Sequence, residues 1–140
     1  MTMRHLSDMV RDQDPLVLRQ QSSVASACRH MRDRRVGAVL VTDAAGRLLG
    51  IFTGRDAVAR VLAEGRSPSD TRLAEVMTRD PATIPPHCSA IEALRTMQDG
   101  GFRHLPVVDG HRVVGIVSRG DFRGLEQARL DEETGLWERI

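Results

Sequence analysis

At 140 residues, with 41% hydrophobic and 28% charged residues, the chain carries enough apolar material for one compact domain or two tightly packed halves, and too much for a disordered segment. All 20 basic residues are arginine and face 19 acids; the absence of lysine excludes Schiff-base and P-loop lysine chemistry, and a net charge of +1 gives no general footprint for nucleic acid. No apolar run is long enough to span a membrane, and Met1-Thr2-Met3-Arg4-His5 leads into charged sequence rather than a secretory signal, so a cytosolic location is the expectation.

A short helix is predicted around Leu6, Met9 and Val10, followed by Asp14-Pro15 and a strand at Leu16-Val17-Leu18. The segment Arg29-His30-Met31-Arg32-Asp33-Arg34-Arg35 reads either as a solvated helix end, where cations suit the dipole, or as a phosphate-contacting patch. Asp43-Ala44-Ala45-Gly46 is a turn between two strands, and Ala57, Val58, Val61 and Leu62 give the next helix its apolar face. Glu64 to Asp70 is a connector; Leu73, Val76 and Met77 then mark a second short helix.

Ala82-Thr83-Ile84 reads as a short strand stopped by Pro85-Pro86. Ser89 caps a helix carrying Ile91, Leu94 and Met97 on one face, which Gly100-Gly101 ends. Leu105 to Val108 and Val113 to Val117 are strands flanking the turn dipeptide Asp109-Gly110, and Phe122 and Leu125 begin a last helix. The segment 126–140 is charged but holds Leu130, Leu136, Trp137 and Ile140, so docking on the body or on a partner subunit is expected.

The chain repeats itself. Gly50-Ile51-Phe52-Thr53-Gly54-Arg55-Asp56 and Gly115-Ile116-Val117-Ser118-Arg119-Gly120-Asp121 share one pattern at an offset of 65, and Asp14-Pro15, Met31 and Val41 have counterparts 66 residues on. Each half reads strand, helix, strand, strand, helix, with boundaries at 1–66 and 67–125 and a tail at 126–140. Cys28 falls where Leu94 sits in the second copy, which suits a small buried hydrophobe; neither it nor Cys88 has metal-ligand spacing.

Two readings of the repeated signature stand side by side. A hydroxyl residue followed three positions later by an acid, between strand and helix, approximates a capping box, with Thr53 and Ser118 as caps and Asp56 and Asp121 favouring the positive helix end. The same junction offers N–H donors to a phosphate near Arg55 or Arg119, while Asp56 or Asp121 accepts the vicinal hydroxyls of a ribose.

From about Leu6 to Arg123 these residues resemble a tandem pair of cystathionine-beta-synthase (CBS) domains. The resemblance rests on both signatures, on Asp14-Pro15 and Asp80-Pro81, and on Arg103-His104-Leu105-Pro106-Val107-Val108. It implies an α+β fold of two β-α-β-β-α repeats with pseudo-two-fold symmetry, sheets packed together and helices outside. It also implies clefts that bind AMP, ADP, ATP, NAD or other adenosyl ligands. Carried over by position, Asp56 and Asp121 match the ribose-binding aspartates, and Thr53 and Ser118, flanked by Gly54, Arg55, Arg119 and Gly120, match the phosphate contacts. Leu16, Val17 and Leu18, with Thr83 and Ile84, match the segments that meet adenine through backbone groups. Arg103 and His104 replace Gly37 and Ala38 of the first copy beside Pro106; His104 is either a phosphate contact or a strand residue satisfied by a carbonyl.

A non-catalytic adenine-nucleotide sensor that signals to an unidentified partner protein is the expected function, with AMP the foremost ligand and a homodimer the expected assembly. The alternative is an interaction module whose signatures only cap helices. Spacing assigns no nucleophile with a base, no paired acids and no metal cluster, and an aromatic content of 3% argues against nucleic-acid stacking.

Overall fold

The computed structural model describes residues 4–122. Its architecture is α+β with a four-stranded and a two-stranded sheet. The apolar, mostly β-branched run Ala38–Thr42 forms strand β2, all five residues of which are buried, as suits a strand with neighbours on both edges. Strand β1 (Val17–Arg19) pairs with it in parallel and β3 (Leu48–Thr53) antiparallel; β4 (Thr78–Arg79) adds to the far side of β3, giving the order β1-β2-β3-β4. Asp43 organises the β2–β3 turn, its Oδ1 accepting from the N–H groups of Ala45 and Arg47 at 2.9 and 2.9 Å. Those bonds, the Arg47 one foremost, hold the Asp43 carboxyl below its ordinary range.

The two-stranded sheet pairs β5 (His104–Asp109) with β6 (Arg112–Ser118). The strand expected at Ala82-Thr83-Ile84 is reduced to a single parallel bridge between Ile84 and Val107. Proline explains this. The Ile84 N–H reaches the Pro106 carbonyl at 3.0 Å and its C=O accepts from the Val108 N–H at 3.0 Å, but the next rungs would need N–H groups from Pro106 and Pro86.

Helix α2 (Val24–Arg34) buries Val24, Ala27 and Met31; helix α5 (Ala90–Gly100) buries Ala90, Ile91, Ala93, Leu94 and Met97. Ser89 and Glu92 form a reciprocal capping box on α5, Glu92 N–H to Ser89 Oγ at 3.2 Å and Ser89 N–H to Glu92 Oε2 at 3.0 Å, and Gly101 ends the helix in the left-handed region. The cap on α2 is half as complete: Ser23 accepts from Ser26 N–H at 3.1 Å, but no acid sits at that third position.

Two compact units divide the chain differently from the two sequence repeats. One holds residues 14–81 and 111–113; the other, within the described residues, holds 4–13, 82–110 and 114–122. Each has its own apolar core, one built around Leu16, Val39, Val41 and Phe52, the other around Leu6, Leu94, Leu105 and Val117. The short helix before each repeat thus packs on the other repeat's core. Helix α1 (Leu6–Met9) buries Leu6 among the second-copy residues, and helix α4 (Leu73–Val76) buries Leu73 and Val76 among the first-copy residues.

The helix after β3 departs from the expected pattern. A short turn, α3 (Gly54–Asp56), runs into a π-helix at Ala57–Leu62. Along it Val61 is buried and Ala57 half-buried, whereas Val58 and Leu62 stay 60% and 63% exposed. After β6 the described residues end in one 3₁₀ turn, Arg119–Asp121, followed by the extended Phe122 (ψ 137°). The expected helix residues beyond Phe122 and the tail 126–140 with Trp137 lie outside the described residues.

Candidate functional site

The first glycine of each signature is a packing requirement. A Cβ on Gly50 would stand 2.7 Å from both Met77 Sδ and the Thr78 carbonyl; one on Gly115 would stand 2.6 Å from both Val10 Cβ and Gln13 Oε1. In each case a segment from just before a repeat is pressed onto the strand that leads to the signature. The strand end is thereby held on a rigid support, which suits a binding position.

In the first copy Thr53 closes β3 with extended backbone and caps α3. Its Oγ1 accepts from the Asp56 N–H at 3.2 Å, and Asp56 Oδ2 accepts from the Thr53 N–H at 3.0 Å, a complete capping box. Asp56 Oδ1 lies 3.8 Å from Arg60 Nε, one helical turn on, while Arg60 Nη1 donates to the Val76 carbonyl at 3.0 Å. The Gly54 N–H donates to the Gly37 carbonyl at 3.1 Å, and Arg55 is exposed.

The second copy keeps the register and changes the bonding. The Arg119 N–H donates to the Arg103 carbonyl at 3.1 Å, the counterpart of Gly54 to Gly37, so Arg103 and His104 lie at the same end of the sheet as Ser118–Asp121. Asp121 Oδ2 accepts from both the Ser118 N–H at 2.7 Å and the Ser118 hydroxyl at 3.2 Å. The hydroxyl therefore serves the carboxylate rather than a helix N–H. Arg4 donates to the Asp121 carbonyl at 3.2 Å, and Arg119, Gly120 and Asp121 are exposed. His104 is a half-buried member of β5.

The first-strand segments offer backbone, as expected, but unequally. Leu16 and Ile84 are core residues, each 6% exposed, and Pro106 is buried, so these side chains are committed to packing. Both main-chain groups of Ile84 are taken by its bridge. In edge strand β1 the Leu40 N–H bonds the Leu16 carbonyl at 2.9 Å, a register that directs the Val17 N–H and C=O away from the sheet. Thr83 is exposed.

Within the unit of residues 14–81 and 111–113, Leu16, Val17 and Leu18 line a cleft of about 670 Å³ that does not include Thr53–Asp56. Its polar lining comes from Asp14, from His30 and Arg34 of α2, from Thr42 and Arg47 at the β2–β3 turn, and from His111 and Arg112. The basic run 29–35 is the one sequence signal that pointed here; the turn arginines are isolated in sequence and gave none. That run is a helix end, with Arg35 in the left-handed region (φ 55°) as its cap.

Burial raises the Cys28 thiol, and burial with the neighbouring Glu92 carboxylate raises Cys88, so neither is an activated nucleophile. Among the described residues no group of three or more His, Cys, Asp or Glu is arranged to hold a metal ion, and no helix is long and apolar enough to cross a membrane.

Comparison with known proteins agrees with this arrangement. The CBS domain model matches twice, at residues 6–63 and 73–126. The CBS domain-containing protein CBSCBSPB2 of Arabidopsis thaliana is 45% identical over 102 residues, which is 73% of this chain and 19% of that protein; the chain thus spans about a fifth of this relative's length. A CBS-domain containing protein from Agrobacterium tumefaciens is 31% identical with a TM-score of 0.76, the match covering 89% of this chain and 98% of that one. A CBS domain protein from Pyrobaculum aerophilum, solved as a complex with AMP, shares the fold at a TM-score of 0.81 and 20% identity, covering 91% and 98% of the two chains. With two family matches, each spanning one copy of the Gly-x-x-Thr/Ser-x-x-Asp signature, the chain belongs to the CBS domain family, as a tandem pair.

Proposed function

We propose that this chain is a non-catalytic regulatory module that binds an adenine nucleotide, AMP foremost, with ADP, ATP or NAD as related ligands, and reports its presence to a partner protein. The observation that carries the reading is the repeated strand-to-turn junction, where a carboxylate, a hydroxyl and an exposed arginine stand together twice. Asp56 and Asp121 each use one oxygen for the local cap, and a carboxylate has about four acceptor sites, so the cap and ribose hydroxyls can be served together. Thr53, Gly54 and Arg55, and Ser118, Arg119 and Gly120, then face phosphate. Arg103 and His104 add side-chain contacts in the second copy, and the segments at Leu16–Leu18 and Thr83–Ile84 meet the base through main-chain groups, Val17 and Thr83 foremost. The AMP complex of the Pyrobaculum relative supports the ligand class.

Val58 and Leu62, exposed one turn apart on the π-helix, are the surface we assign to a homodimer contact. Light scattering at micromolar concentration is expected to give twice the chain mass.

The capping reading keeps a specific observation in its favour, since Asp56 and Asp121 both make the bonds of a local cap. Calorimetric titration of AMP into wild type, Asp56→Asn and Asp121→Asn separates the two. Asparagine remains cap-competent but loses the charge and one acceptor oxygen, so each ribose site is expected to weaken by about ten-fold or more. Wild-type affinity and stoichiometry in both variants would reduce the signatures to caps.

A further inference from the structure

Arg47 and Arg112 are partners in an antiparallel bridge. Directly opposed residues leave the same face with Cα atoms about 4.5 to 5.5 Å apart, so two permanent positive charges are set side by side, an arrangement that is destabilising in itself. Both border the cleft along β1. Arg34 joins them from α2, where its guanidinium donates to the Asp14 carbonyl and stands 3.9 Å from the Asp14 carboxylate. His30, one turn earlier, gives Nδ1 to the Ser26 carbonyl at 2.8 Å and keeps Nε2 for another partner.

Against this cationic wall stands an apolar one formed by Pro15 and Val17, with the outward main-chain groups of Val17 between them. The volume, about 670 Å³, is that of a small-molecule site. Among the described residues Asp14 is the one acid on the lining, its carboxylate 98% exposed and 3.9 Å from Arg34, while Asp43 interacts with Arg47 from the β2–β3 turn, so the cleft holds more positive than negative groups. Two exposed arginines on facing positions of one bridge, both bordering a ligand-sized cleft, are satisfied by a group with several anionic oxygens, and the planar fork of arginine matches phosphate.

We propose that this cleft is a second anion site, which takes a small phosphorylated molecule with at least two negative charges. It is separate from the signature of its own repeat. Arg47 and Thr53 stand at opposite ends of β3, about 20 Å apart along the strand. The cleft shares Val17 with the base segment of the proposed nucleotide site, and the assignment rests on Arg34, Arg47 and Arg112, none of which belongs to either signature.

The test uses the full chain and inorganic pyrophosphate as the probe. Calorimetry on wild type is expected to show binding that weakens with added sodium chloride, and the double variant Arg47→Gln/Arg112→Gln is expected to bind at least about ten-fold more weakly. Asp56→Asn/Asp121→Asn is expected to bind as wild type. Without ligand, the double glutamine variant is expected to melt at or above the wild-type temperature, because a repulsive pair is gone. Competition by ATP would identify a nucleoside polyphosphate as the source of the phosphate groups, and its absence a simple phosphate; either supports the site. No pyrophosphate binding by wild type, equal binding by the arginine double variant, or a loss that follows the aspartates would overturn it.

Discussion

The edges of β3 and β6 meet the same demand with different chemistry. On β3 a second strand completes the sheet, β4 pairing Arg79 with Gly50 and Thr78 with Ile51 through the main chain. On β6 a single side chain stands in for that strand: Gln13 Oε1 accepts from the Ile116 N–H at 2.6 Å and Gln13 Nε2 donates to the Ile116 carbonyl at 2.8 Å. Ile51 and Ile116 are equivalent in the repeat, so the carboxamide reproduces the donor–acceptor pair of a strand residue. The requirement common to the two copies is close approach over glycine; how the exposed edge is then satisfied is free to differ.

The two glycines should give the largest effects. At Gly50 an added Cβ meets a backbone carbonyl that cannot swing aside, whereas at Gly115 part of the conflict is with a movable Gln13 terminus. Urea unfolding is expected to show a loss of about 3 kcal/mol for Gly50→Ala and about 2 kcal/mol for Gly115→Ala. Equal, negligible losses would show that both approaches are slack.

Gln13→Ala removes both bonds to Ile116 and is expected to cost about 1 to 2 kcal/mol, while Thr78→Ala, which leaves the main-chain pairing of β4 intact, should stay within about 0.5 kcal/mol. If the two variants unfold alike, the glutamine is not acting as a strand.

The caps sharpen the contrast. Thr53 accepts from a helix N–H and Ser118 does not, so Thr53→Ala is expected to cost about 1 kcal/mol, with a smaller loss for Ser118→Ala. Reversed losses would mean that the serine-to-carboxylate bond is the stronger device.

The smallest effect compares α2 with α5. Ser26 and Glu92 are equivalent at an offset of 66, and only Glu92 completes a capping box. Ser26→Glu is expected to add about 0.5 kcal/mol by supplying the missing acceptor. The Ser89 N–H, foremost, holds the Glu92 carboxyl below its ordinary range. A depressed carboxyl stabilises the fold above its unfolded pKa of about 4.3, and that contribution is lost as pH falls through the folded value. Glu92→Gln should therefore flatten stability between about pH 5 and pH 3 relative to wild type. An unchanged acid limb would remove the carboxylate from that role.

Much of this was legible in the chain. Helix α5 could be placed because Ser89, the spacing of Ile91, Leu94 and Met97, and the terminal glycines are local signals whose physics acts within one or two turns. The capping at Thr53 was legible for the same reason. The failed strand at 82–84 was also written locally, in Pro86 and Pro106, but reading it needed the knowledge that Ile84 lies beside Val107. The exposure of Val58 and Leu62 was not local at all, since the apolar spacing assigns them to the helix's inner face and only the packing of the folded unit leaves them outside it.

By itself, then, the sequence determined the repeat, its strands and caps, and the residues of the signature, because periodicity, proline chemistry and capping act between near neighbours. Only the tertiary structure decided that α1 packs on the core of the second copy, that Gln13 serves as a strand edge for Ile116, and that Arg47 meets Arg112 beside a cleft. Those pairings join residues 65 to 103 positions apart, where no local propensity acts and the outcome rests on which surfaces fit over a glycine or across a bridge.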